Sequence, residues 1–233
     1  MFRHRGMPIV FAGPSLALVS QELRERLDLR PPARRGDLIG ATIKVPPGTM
    51  LLIDGLFGTD LSVSPAECRE VLKLGWTLVG ASSMGALRAS ELWSVGMIGL
   101  GEVFAMYRLA IIRSDADVAV SIDPRTFEAC TVSIVSIRAI LSFLESRHLI
   151  TAVSSRKLLM EARKIHWYER DWGQCIARWE NVGLDPIALE QVRKLVASPC
   201  ADPKQRDAAF AIACILARRW AWFSAMPYVG AIL

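Results

Sequence analysis

The stretch Thr77–Leu92, TLVGASSMGALRASEL, constrains the fold more than any other part of the chain. Thr77–Gly80 has the short apolar character of a buried strand. It runs into Gly80-Ala81-Ser82-Ser83-Met84-Gly85, after which alanine and leucine sustain a helix to about Val95. A strand that hands over to a helix within so few residues sets the side chains between them at the positive end of the helix dipole. Ser83, with Gly85 two residues on, fits the turn that exposes a nucleophilic serine in hydrolases, except that Ala81 stands where G-x-S-x-G has its first glycine. Backbone N–H groups of such a turn can stabilise an oxyanion. Equally, Ser82 or Ser83 can be the N-cap of the helix, the commoner role of serine in that place. A nucleophile also needs a base, and neither His4, His148 nor His166 is placed by sequence to supply one.

The rest of the first half repeats the strand-then-helix rhythm. Pro8–Ala12 is an apolar run closed by Gly13-Pro14, with Ser15 able to cap a helix through about Leu27. Leu29–Lys44, rich in Pro and Arg, reads as a loop. Met50–Ile53 reads as a second buried strand ending at Asp54-Gly55. Ser64-Pro65-Ala66-Glu67 carries the cap, proline and acidic residue of a helix start, and that helix ends near Gly75. The expected fold is α/β: a small, mostly parallel sheet with flanking helices. From about Val132 the pattern turns helical, over Ile134–Arg147, Ser154–Trp179, Pro186–Val196 and Lys204–Trp222. A boundary near Ile122-Asp123-Pro124 divides an α/β domain, 1–124, from a helical C-terminal domain, 125–233.

Composition narrows the function classes. The chain is 52% hydrophobic and 22% charged, with a mean hydropathy of +0.30, enough for a sizeable core and suggestive of apolar surface covered by a partner. The greasiest stretches, Val132–Leu144 and Ala208–Leu216, fall short of the roughly 20 apolar residues of a membrane span. The basic start and brief apolar run of the N-terminus do not make a signal peptide, so a cytoplasmic protein is expected. Cys68, Cys130, Cys175, Cys200 and Cys214 form neither a disulfide framework nor a CxxC pair, and no cofactor or metal is expected. A net charge of +5 is spread along the sequence, so nucleic acid is not an expected partner.

Beyond these patterns, GASSMGALRASEL followed by GMIGLGEVFAMYR resembles the core signature of TfuA-like proteins. FAGPSL, PPARRGDL, LLIDGLF, SPAECREVL and SDADVAV resemble further family segments, and KIHWYERDW and PKQRDA shorter ones. The resemblance covers most of the chain and is densest over residues 8–120. It implies an accessory protein for a YcaO-type enzyme that makes thioamides in a precursor peptide. It further implies hydrolysis of the thiocarboxylate of a ubiquitin-like sulfur carrier of the ThiS type, by a Ser-Lys pair. A neutral lysine takes the serine's proton only where its surroundings disfavour the charged form.

On this resemblance Ser83 is the nucleophile, with Ser15 in GPSL the runner-up. Lys204 in PKQRDA is the favoured lysine, with Lys44 and Lys73 open. Ala66 and Arg34 stand where relatives often carry lysine. Asp37, Asp54, Glu67, Arg88 and Glu91, with Ser15, either position the carrier's glycine-rich tail or satisfy one another in a polar core. For Arg88 and Glu91, three apart on a helix, a surface ion pair is the plain alternative. Two rival functions stay open: a non-catalytic bridge between the YcaO enzyme and its peptide, and a phosphate binder using Gly13-Pro14-Ser15 and RRGD. The second lacks any P-loop or dinucleotide fingerprint. The aromatic tail Arg218–Leu233, with Trp220, Trp222 and Phe223, suits either a last core helix or a partner surface.

Overall fold

The computed structural model describes residues 6–58 and 61–217. Two compact units divide it: Met1–Ile112 together with Lys204–Leu233, and Arg113–Pro203.

The first unit is built on five parallel strands, β1 (Ile9–Phe11), β2 (Asp28–Arg30), β3 (Thr49–Leu52), β4 (Thr77–Ala81) and β5 (Ile98–Leu100), in the order β2-β1-β3-β4-β5. Between and after the strands run α1 (Gln21–Arg24), α2 (Asp37–Thr42), α3 (Pro65–Lys73), α4 (Met84–Leu92) and α5 (Glu102–Arg108). The expected parallel α/β sheet with flanking helices is therefore present.

Strand residues alternate between two cores, as the two-residue period of a strand requires. Ile9, Phe11, Met50, Leu52 and Leu78 pack with Leu38 of α2, Cys68 and Val71 of α3 and Met84 and Leu92 of α4. Val10, Ala12, Leu51, Ile53, Val79 and Ala81 pack on the other face with Ala208, Ala211, Ile212 and Ile215. Those last four lie on α10 (Pro203–Leu216), so the chain returns after its helical portion to cover the second face of the sheet.

Three elements escape a local reading of the sequence. β2 is a half-buried edge strand, Asp28-Leu29-Arg30, with no apolar run. β5 is three residues at the other edge, with Gly99 at its centre. A Cβ on Gly99 would lie 2.2 Å from the Phe104 ring, so glycine there serves packing rather than a turn. α2 starts at Gly36 without a side-chain cap of its own. Its free amides are taken instead by Glu67, 31 residues away: Oε2 accepts from Gly36 N at 3.0 Å and Oε1 from Leu38 N at 3.0 Å. Nor does Ser15 cap a long helix to Leu27: it lies inside a short 3-10 turn, Pro14–Leu16, whose N-cap is Gly13, and the helix of this stretch, α1, is capped by Ser20.

The second unit is helical, with α6 (Ile134–Ser146), α7 (Ala152–Arg163), α8 (Trp172–Asn181) and α9 (Pro186–Val196) around Trp179, Ile137, Leu144 and Val192. The continuous helix expected over Ser154–Trp179 is broken. Asp171 caps a new helix by accepting from Gln174 N at 2.7 Å, and Arg170 folds back to donate to Ile165 O. The expected last helix starts one residue earlier, at Pro203; its part beyond Leu216, and the tail residues Trp220, Trp222 and Phe223, lie outside the described helix, residues from 218 on being outside the described residues altogether. Among the described residues no helix is long and apolar enough to cross a membrane.

Candidate functional site

Three loops at the C-terminal ends of adjacent strands bring polar side chains together. β1 leads into Gly13-Pro14-Ser15, β3 into Ile53-Asp54, and β4 into Ser82-Ser83. In this strand order the chain leaves β1 outward to β2 and then crosses back to β3. The ends of β1 and β3 therefore flank the switch point where parallel α/β sheets bind ligands.

Asp54 is the hub. Its Oδ1 accepts from Ser15 Oγ at 2.7 Å, and its Oδ2 accepts from Gly13 N at 2.9 Å and Ser15 N at 3.1 Å. Ser82 Oγ in turn donates to Ser15 Oγ at 3.0 Å, completing a chain Ser82–Ser15–Asp54. The backbone of Asp54 is held on both sides, with its N–H donating to Phe11 O and its C=O accepting from Ala33 N. Ser15 and Ser82 are fully buried, and Asp54 and Ser83 are 2% exposed.

The turn after β4 is strained. Ser82 has φ +68°, and Ser83 N donates back to Ala81 O at 2.9 Å, closing a γ-turn of the rare positive-φ kind around Ser82. A non-glycine residue in this region costs on the order of 1 kcal/mol and persists where its surroundings over-determine it. Those surroundings are tight. A Cβ on Gly80 would stand 2.2 Å from Gly85 O, and one on Gly85 would stand 1.8 Å from Leu52 O. Both glycines thus permit the close approach of α4 to β3 and β4, and Gly85 N seals it by donating to Ile53 O at 3.2 Å. Ser83 occupies the N-cap position of α4, yet its side chain makes no capping bond to the helix.

The first turn of α10 spans the same edge of the sheet. Gln205 Nε2 donates to Pro14 O at 2.6 Å and its Oε1 accepts from Ala17 N at 2.7 Å, beyond the end of β1. Asp207 accepts from Glu102 N and Val103 N, both at 2.8 Å, beyond the end of β5. β3 and β4 lie between those two strands, and their ends carry Asp54 and Ser82-Ser83. At about 100° per residue, Lys204 lies between Gln205 and Asp207 on the helix circumference. It is 3% exposed, whereas Lys44 and Lys73 are exposed, Lys73 pairing with Glu70 at 2.7 Å. Burial pushes the Asp207 carboxyl up to about 7, against the opposing pull of its two amide donors.

The remaining expected site residues gather elsewhere in the first unit. Glu67 holds the amides of Gly36 and Leu38, and Asp37 Oδ2 accepts from Arg34 N at 2.7 Å. Arg88 donates from Nε to Val63 O at 2.6 Å and from Nη1 to Glu91 Oε2 at 2.7 Å. Arg88, Glu67 and Glu91 surround Cys68, whose thiol burial pushes up to about 12. What sequence reasoning missed is Ser82 as the serine bonded to Ser15. The signal was available in Gly80-Ala81-Ser82, the first half of a G-x-S-x-G pattern, with Met84 in place of the second glycine.

Fold and site together define a parallel α/β protein with a buried Ser-Ser-Asp chain at the C-terminal edge of its sheet. The description of the TfuA-like protein family matches residues 54–171, half of the chain, and this chain belongs to that family. The match begins at Asp54 and includes the Ser82-Ser83 turn. No curated protein matches the sequence.

Proposed function

We propose that this TfuA-like protein serves peptide thioamidation as the partner of a YcaO-type enzyme, releasing sulfide from a thiocarboxylated ThiS-like carrier by serine-based hydrolysis. The observation that carries this reading is the Ser82 turn: a hydroxyl at positive φ, at the head of α4, bonded through Ser15 to a fixed carboxylate.

In the reaction, a serine hydroxyl attacks the thiocarboxylate carbon. The hydroxyl proton passes to a base, the C–S bond breaks, and the sulfur leaves as hydrogen sulfide with that proton. Water then cleaves the acyl-serine and leaves the carrier's carboxylate. The geometry favours Ser82 as the attacking group, and Ser83, one residue on, is the nucleophile the family resemblance nominates. Lys204 is the proposed base, on the strength of its burial in the first turn of α10, between Gln205, bonded beyond β1, and Asp207, bonded beyond β5. In the first turn of α4, Gly85 N is committed to Ile53 O and Leu87 N to Ser83 O; among the described residues the amides of Met84 and Ala86 are the first-turn donors left to offer a developing oxyanion. The carrier's narrow glycine-rich tail suits the crevice beside the switch point.

A second reading has its own support. Ser15, Asp54, Ser82 and Ser83 are at most 2% exposed, as members of a satisfied structural network would be. On that reading the protein bridges the YcaO enzyme and its peptide without chemistry. Reconstituted thioamidation separates the two. With the carrier as sole sulfur source, Ser82→Ala abolishes product and added sulfide restores it if the serine releases sulfur. Wild-type product from Ser82→Ala without added sulfide supports the bridge.

A further inference from the structure

The turn that carries Ser15 is held largely by side chains from elsewhere in the chain. Pro14–Leu16 is a single 3-10 turn, entered from Gly13 without a side-chain cap, and so short a turn has little internal bonding to fix it. Asp54 takes the two amides at its start, Gly13 N at 2.9 Å and Ser15 N at 3.1 Å. Arg24 Nη2 donates to Leu16 O at 2.6 Å. The third side chain is Gln205, whose Nε2 donates to Pro14 O at 2.6 Å and whose Oε1 accepts from Ala17 N at 2.7 Å.

The two bonds of Gln205 bracket Ser15 and Leu16. They need a donor and an acceptor at the tip of one side chain, which a carboxamide supplies and a carboxylate, an amine or an apolar group does not. Gln205 is itself fixed by α10. Ala208, Ala211 and Ile212 pack into the core on the second face of the sheet, and Asp207 accepts from Glu102 N and Val103 N at 2.8 Å. The Ser15 turn is thereby tied to the sheet through residues 188 and 191 positions away in sequence.

The direction of two hydroxyls hangs on that turn. Ser15 Oγ donates to Asp54 Oδ1 at 2.7 Å, so its lone pairs are left to accept from Ser82 Oγ at 3.0 Å. That second bond lies at the long end of the O–H···O range, so a small shift of the turn breaks it. We propose that Gln205 is a positioning residue for the serine turn, holding Ser15 where its hydroxyl orients Ser82. Gln205 acts through Ser15 and not on the reacting atoms. Its kinetic consequence rests on the serine-hydrolase reading, whereas the clamp itself is measurable without activity.

The test compares wild type with Gln205→Met, which keeps the length of the side chain and removes both bonds, and with Gln205→Glu. Thermal melts check that each variant is folded. The 15N–1H resonances of Gly13 and Ser15, whose amides bond Asp54 and not Gln205, report the native placement of the turn. In Gln205→Met they are expected to shift and broaden while amides of β3 and β4 stay in place. With a thiocarboxylated carrier, kcat of Gln205→Met is expected to fall roughly tenfold or more with KM little changed, as for a misplaced reacting group. Gln205→Glu offers donor and acceptor together only when protonated, so its rate relative to wild type should rise as pH falls from about 8 to about 5. Unmoved Gly13 and Ser15 resonances in folded Gln205→Met overturn the proposal, as does a wild-type kcat in that variant or a Gln205→Glu ratio flat with pH. Wild type inert toward the carrier ends the hydrolase reading instead, and the resonances then decide the clamp.

Discussion

Replacing Gly85 by alanine reverses an ordinary expectation. Inside a helix, Gly→Ala stabilises by about 1 kcal/mol, because alanine loses less backbone entropy. Gly85 is the second residue of α4, but an added Cβ would sit 1.8 Å from Leu52 O and 2.6 Å from Leu52 C. The obstacle is backbone in β3, a strand paired on both sides, so it cannot swing aside as a side chain would. Overpacking costs typically 1–3 kcal/mol, and the upper end applies where strand backbone must move by more than an ångström. Subtracting the propensity gain leaves a net loss of about 2 kcal/mol, equivalent to a melting temperature lower by roughly 4–8 °C for a chain of this size. Gly40→Ala is the control, since Gly40 lies within α2 and a Cβ there meets nothing within 4 Å. Calorimetry of the two variants should move in opposite directions. Gly85→Ala melting at or above wild type, alongside Gly40→Ala, would refute the packing described for the α4 junction.

Three other outcomes follow from the same structure. Glu67→Ala leaves the amides of Gly36, Leu38 and Ile39 without their acceptor, and urea unfolding should show a loss of about 2–3 kcal/mol with a smaller loss for Glu67→Gln; unchanged stability would return Glu67 to a ligand-positioning role. Asp207, pushed up to about 7 from 3.8 by burial, binds its proton more tightly folded than unfolded. Its contribution is therefore full below about pH 4 and is lost as pH rises through 7. Melts from pH 4 to 8 should show wild type losing ground to Asp207→Asn, and a constant gap between them contradicts the shift. The thiols of Cys68 and Cys175 are both pushed up to about 12 by burial, whereas Cys130 is exposed. Brief alkylation at pH 8 followed by peptide mapping should modify Cys130 and spare the other two; early labelling of Cys68 would show that the α3 side of the sheet opens readily.

The legible parts of the fold were those whose signal is local. Buried strands at residues 49–52 and 77–81, the Ser64-Pro65 helix start and the Asp185-Pro186 helix start all announce themselves within a few residues. What stayed hidden depends on distant partners. α2 owes its start to Glu67, and β5 owes its central glycine to Phe104. The site divides along the same line. Ser15, Asp54, Ser83 and Lys204 were nameable from their segments, the last three largely through family resemblance. The bond from Ser82 to Ser15 joins residues 67 apart and is set by strand order, which no local pattern encodes. Glu67, Arg88 and Glu91 were nominated by resemblance alone, and the structure shows each bonded to nearby amides, carbonyls or each other.

The most direct measurement is mass spectrometry of a thiocarboxylated ThiS-like carrier after incubation with wild-type, Ser82→Ala and Ser83→Ala protein. Wild type and Ser83→Ala are expected to convert thiocarboxylate to carboxylate, and folded Ser82→Ala to convert none. Conversion by Ser82→Ala at the wild-type rate would contradict it. If Ser83→Ala were then the inactive variant, the nucleophile would lie one residue further along the turn.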